Sequence, residues 1–167
     1  ARYVDQGVIG FDLAGAECGF PPTLHAAAID AARDAGLGIT LHAGEADEGS
    51  RVLEAASLGA TRIGHGVHIM NPPDRSTGQR WIDEARRLNL HFEVCPTSNV
   101  HTGIAQSLTT HPLASMVAAG LSVSVSTDNR LMSGVSLSSE LEAAYAENGI
   151  TLAELGRMMR EAAQVSF

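Results

Sequence analysis

The sequence predicts an α/β protein in which a parallel sheet is joined by helical crossovers. Three observations carry this. Short apolar runs alternate with helix-length amphipathic segments, one strand–helix unit about every 25 to 30 residues, which is the spacing of βαβ units. Five such runs each end in residues of distinct chemistry: Gly15, His42, His65, Ser98-Asn99 and Asp128. Polar groups gathered at one end of every strand indicate a single functional face. Finally, 167 residues with 44% hydrophobic content suit one domain, 1–167, with a real core. A doubly wound open sheet shares these features, but no G-x-G-x-x-G or G-x-x-x-x-G-K-S/T phosphate loop is present.

Gly7 to Leu13 reads as the first buried strand, leading into Ala14-Gly15. Pro21-Pro22-Thr23 breaks the chain, and residues 24–35 repeat apolar positions at helical spacing until Gly36. The central strand is Leu37 to Leu41, ending in His42. Residues 45–58 read as a second helix stopped by Gly59. Residues 61–66 form a third strand end, again bearing a histidine, and Asn71-Pro72-Pro73 is a loop. Residues 78–88 make a third helix with Trp81, Ile82, Ala85 and Leu88 on one side. His91 to Cys95 is a strand closed by Pro96, with Thr97-Ser98-Asn99 as its loop. A helix over 112–119 precedes the strand 121–128, which alternates at period two. Two helices, 137–147 and 152–163, end the chain, the second opened by a Thr151–Glu154 capping box.

Composition excludes several roles. A net charge of −8 argues against a nucleic-acid or anionic-membrane surface. No apolar run is long enough to span a bilayer, and no signal peptide is visible. Two cysteines, Cys18 and Cys95, are too few for a disulfide framework and read as small buried residues in a reducing cytoplasm. Met158-Met159 reads as core packing, and His68 as a loop histidine beside His65. The chain begins at Ala1, close to a strand, and reads as a piece of something longer.

The segment Thr40-Leu41-His42-Ala43-Gly44-Glu45 is the focus. A strand end delivers an imidazole, and a carboxylate follows on the next loop. That pairing suits a metal ligand with an acid beside it, or a core histidine beside a helix-starting glutamate.

Five stretches in order resemble the adenosine deaminase family: Phe11-Asp12-Leu13-Ala14-Gly15, His42-Ala43-Gly44-Glu45, Arg62-Ile63-Gly64-His65-Gly66, Glu93 to Asn99, and Ser126-Thr127-Asp128. The resemblance implies a partial (β/α)8 TIM-type barrel of the metal-dependent hydrolase kind, of which this chain holds the last five βα units. It implies zinc-dependent hydrolysis of adenosine and 2'-deoxyadenosine to inosine and ammonia. His42 and Asp128 resemble ligands of one Zn2+ ion. Glu45 resembles the general acid that protonates purine N1, and a buried carboxyl suits that task. His65 resembles the residue that orients the attacking hydroxide. Gly15 resembles the position whose backbone N–H meets the purine ring, and Asn129 the position that contacts N7. The implied partner is a small-molecule purine nucleoside.

Three departures matter. The family's His-x-His pair on the first barrel strand is missing, so two zinc ligands remain where at least three protein ligands are usual. Asn129 stands where many members have Asp, and Ala16 replaces an acid after Gly15. The chain alone is therefore expected to be inactive. Rival readings are a deaminase of adenine or another 6-aminopurine and, in a different class, a noncatalytic half-barrel used for assembly or binding. Five strands also leave open sheet edges, which predicts self-association.

Overall fold

Every strand alternates apolar and polar residues, and this alternation divides the sheet into two chemically different faces. The computed structural model describes residues 2–167. Its strands are β1 (Gly10–Leu13), β2 (Gly38–His42), β3 (Arg62–Gly64), β4 (His91–Val94) and β5 (Ser122–Val125). All neighbours pair in parallel, in chain order, β1-β2-β3-β4-β5. β1 and β5 are not paired to each other, so the sheet is open, as expected.

The registers align like with like. Phe11, Ile39 and Leu41, Ile63, Phe92 and Val123 lie in apolar rows. They join a core with helix residues including Ile29, Val52, Ala85, Met116 and Met158. On the other face, Asp12, Thr40, Arg62, His91 and Ser122 form one polar row. His91 bonds the hydroxyls of Ser122 (2.8 Å) and Ser124 (2.9 Å), and Glu93 accepts from Arg62 Nε at 2.9 Å. Phe167 closes part of this face. Its ring lies under the Arg62 guanidinium, 4.4 Å from the centroid, and a Cβ on Gly38 would fall within 2.4 Å of it.

The crossovers are α1 (Ala26–Asp34), α2 (Ser50–Ser57) and α3 (Arg75–Arg87), then α4 (Pro96–His101) and α5 (Leu113–Ala118). After β5 come α6 (Arg130–Ser133), α7 (Leu137–Ala146) and α8 (Leu152–Val165). The Thr151–Glu154 capping box is present. Among the described residues no helix is long and apolar enough to cross a membrane.

Several boundaries depart from expectation for local reasons. The first strand starts at Gly10, because Val4–Gln6 form a 3-10 turn closed by Gly7 at φ 95°. The second helix starts at Ser50 rather than residue 45, leaving Glu45 on a loop. The third starts at Arg75, where the Asp74 carboxylate accepts from Thr77 N–H as an N-cap. Residues 97–99 are helical, not loop, with Pro96 at the first position of α4. Cys18 is exposed, not buried; Cys95 is buried. Of the Met pair, Met158 is core and Met159 is 56% exposed.

Candidate active site

The C-terminal ends of β2, β3 and β5 deliver three of the singled-out side chains. His42 ends β2, and its ring lies 5.0 Å from that of His65, centroid to centroid. Gly64 between them must be glycine-sized, since a Cβ there would stand 2.9 Å from His42 Nδ1. His65 (φ 60°) and Asp128 (φ 51°) both adopt left-handed backbone. Such conformations cost a side chain of order 1–2 kcal/mol and cluster where geometry matters more than stability. Asp128 Oδ2 accepts from Ser98 Oγ at 2.6 Å, which ties β5's end to α4.

Glu45 is held by a residue that the motifs did not single out. The buried Glu17 carboxylate accepts the backbone N–H groups of Gly44 (2.9 Å), Glu45 (3.1 Å) and Asp47 (3.2 Å). Three N–H groups converging on an anion make a backbone nest around it. This anchor holds residues 44–47 away from a helical path. Beyond it, Glu45 Oε1 accepts from Asn99 Nδ2 at 2.9 Å, and Oε2 lies 3.5 Å from His65 Nε2. Burial, then the negative charge of Glu17, raises the Glu45 pKa above the usual carboxylate value.

The histidines are tuned in opposite directions. Burial pushes His65 down to about 4, so its ring is neutral near pH 7. His42 is raised, by Asp12 first and by Glu45 and Asp128 more weakly, against the effect of burial. Asp12 Oδ1 is 3.7 Å away, outside hydrogen-bond reach, so His42 Nδ1 is buried with no hydrogen-bond partner. An orphaned imidazole nitrogen with Asp128 nearby suits a metal. Yet among the described residues no three His, Cys, Asp or Glu side chains are placed to hold one. The donor set fits zinc in kind and falls short in number.

Gly15 (φ 134°) lines a cavity of about 230 Å3 with Leu13, Phe20, Pro22, His42 and Ala43. The cavity is mostly apolar and touches the histidine at the strand end. Asn129 takes a different post: its Oδ1 accepts Met132 N–H and caps α6, leaving its Nδ2 without a partner in that cap. The structure thus brings Gly15, His42, Glu45, His65 and Asp128 to one end of the sheet, with Asn129 next to Asp128 on the chain. Ser98 and Asn99 join them, and so do Glu17 and His111, which the sequence did not single out. Only Ser98-Asn99 had a sequence signal, as polar residues at a strand end. The Cys95 thiol is pushed far up by burial and is no nucleophile.

Comparison with known proteins adds to this geometry. The family model described as "Adenosine deaminase" matches residues 1–167. A curated adenosine deaminase of Mycobacterium tuberculosis is 40% identical, with 99% of this chain and 47% of the relative covered. One of Mycobacterium avium is 39% identical, covering 99% and 48%. The chain therefore spans about half the length of the curated relatives it matches. Among solved structures, an adenine deaminase of Arthrobacter aurescens superposes with a TM-score of 0.89 at 27% identity, covering 99% of this chain and 50% of that one. An amidohydrolase of Burkholderia ambifaria with bound zinc gives 0.83 at 25%, covering 95% and 43%. Arabidopsis ADAL complexed with IMP gives 0.82 at 25%, covering 99% and 46%.

Proposed function

The chain belongs to the adenosine deaminase family, and from that premise we propose that it carries the acid-bearing half of a site for hydrolytic deamination of adenosine and 2'-deoxyadenosine. Water adds at purine C6, ammonia leaves, and inosine or 2'-deoxyinosine remains. The observation that carries the reading is Glu45, a carboxyl whose proton is favoured by burial, beside the neutral His65 at the end of a parallel sheet. Glu45 delivers its proton to N1 as oxygen attacks C6. His65 offers a ring N–H to the attacking oxygen, and Asp128 accepts that oxygen's hydrogen. Gly15 lets the purine ring approach the backbone, since no side chain intervenes. Asn129 Nδ2 is the donor available for N7.

His42 and Asp128 are this chain's donors for one zinc ion, and a strand bearing a His-x-His pair would complete the shell. Zinc there supplies a Lewis acid that lowers the pKa of water toward about 7. The zinc-bound amidohydrolase supports that choice of metal. The two free thiols suit a reducing cytoplasm.

A second reading, deamination of adenine or an adenine nucleotide, draws on the adenine deaminase superposition and the IMP-bound neighbour. The test supplies the absent half from the Mycobacterium tuberculosis relative and measures ammonia release from adenosine, adenine and AMP with zinc present. Adenosine is expected to react fastest, with a loss of about 10²–10⁴-fold on Glu45→Gln. Preference for adenine or AMP would select the second reading. No turnover of any 6-aminopurine by the zinc-loaded, folded complex would favour a noncatalytic half-barrel.

A further inference from the structure

His111, at the N-terminal side of α5, is 3% exposed and takes no part in the chemistry above. Its Nδ1 accepts a hydrogen bond from the backbone N–H of Leu113 at 3.1 Å. A backbone N–H can only donate, so Nδ1 carries no proton and the ring is neutral with its proton on Nε2. That Nε2–H points at Asn99 Oδ1, 3.1 Å away. The contact fixes which end of the Asn99 amide is oxygen. Turned over, the amide would set Nδ2 against another N–H and Oδ1 against the Glu45 carboxylate. Asn99 is wholly buried, so water cannot relieve either clash.

With the amide fixed, both hydrogens of Asn99 Nδ2 are committed. One goes to Glu45 Oε1 at 2.9 Å, and the other to His65 Nδ1 at 3.1 Å. His65 Nδ1 is therefore an acceptor, and its ring proton sits on Nε2, the atom that faces Glu45 Oε2. We propose that His111 is a positioning residue: through Asn99 it sets which nitrogen of His65 carries the proton and which oxygen of Glu45 is left to hold the acid proton. The order runs Leu113 N–H, His111, Asn99, His65, each group leaving the next a single choice. Because Asn99 donates to Oε1 at 2.9 Å, while His65 Nε2 stands 3.5 Å from Oε2 without a hydrogen bond, the proton of a neutral Glu45 belongs on Oε2. The catalytic meaning rests on the deaminase reading; the tautomers do not.

The test is read on the whole chain, free of metal and substrate. Histidine side chains labelled with 15N are observed near neutral pH by long-range 1H–15N correlation, with assignments carried from the backbone. His65 and His111 are both expected as single Nε2–H tautomers, with Nδ1 resonating far downfield of Nε2. Either ring as the Nδ1–H tautomer, or as an averaged mixture, would overturn the proposal. In His111→Phe, the two His65 nitrogens are expected to move toward each other as Asn99 loses its fixed direction. His111→Gln, whose amide can still donate to Asn99, should restore the separation. A folded His111→Phe chain with His65 unmoved would also overturn it. Should that variant not fold, the spectrum of the unaltered chain still decides. Loss of deaminase activity in the complementation test alongside intact tautomers would count against the function, not against this ordering.

Discussion

At the scale of single residues, the proposed chemistry turns on how strongly Glu45 holds its proton. Burial raises the pKa of Glu45, and Glu17 adds to this from the far side of the loop it anchors. Glu17→Gln should therefore act twice. An amide has one acceptor oxygen where the carboxylate has two, and its NH2 would meet backbone donors. A loss of roughly 2–3 kcal/mol is expected in urea unfolding. In the complemented enzyme the high-pH limb of the rate profile should move to lower pH, because an acid must hold its proton and Glu45 would release it earlier. An unmoved limb would show that Glu17 only supports the loop. Of these residues, Glu45, His42, His65, Gly15 and Asp128 were legible because each sits in a short ordered motif. Glu17 and His111 were not. Glu17 meets the Gly44–Asp47 loop only through the folding of β1 beside β2. His111 reaches Asn99 through a tautomer, which no spacing encodes.

At the scale of elements, the strands were easy to find and one aspect of them was missed. Parallel strands buried on both sides read as continuous apolar runs. Here Gly10–Leu13, Gly38–His42, Arg62–Gly64, His91–Val94 and Ser122–Val125 all alternate. Only the last was recognised as alternating, yet the pattern marks one polar face throughout. Short helices escaped for a different reason. α4 and α6 are too brief for any periodicity, and the residues that open them, Pro96 at the first position of α4 and the α6 cap Asn129, look equally like loop punctuation. α4 matters most, since it carries both Ser98 to Asp128 and Asn99 to His65. α8 was read well because its cap and period agree, with Thr151 and Glu154 reciprocally bonded.

At the scale of the whole molecule, buried neutral histidines make the fold sensitive to acid. His65, His91 and His111 are each pushed down to about 4 by burial. An unfolded histidine titrates near about 6.5. Between those values the unfolded chain binds more protons, so stability is full above pH 6.5 and is lost as pH falls toward 4. His42, raised instead, works in the opposite sense and offsets part of this. Each full shift corresponds to about 3 kcal/mol, against a total stability of about 5–15 kcal/mol for a domain. The urea midpoint should fall steadily from pH 7 to pH 5, with the slope unchanged. A flat midpoint would mean these rings accept protons without unfolding.

The strand order carries a consequence of another kind. Each strand bonds only to its neighbours in the chain, so the sheet is close to a one-dimensional stack. β5 is backed by α8, whose Glu161 accepts from Ser122 Oγ at 3.2 Å. β1 has a single bonded neighbour, and its strand includes Gly10, which contributes no side chain to packing. Loss of β1 would remove Phe11 and Leu13 from the edge of the core and leave four paired strands. Amide hydrogen exchange should then run as a gradient, fastest in Gly10–Leu13 and slowest in β3 and β4. One common rate across all five strands would mean instead that the stack opens as a single cooperative unit.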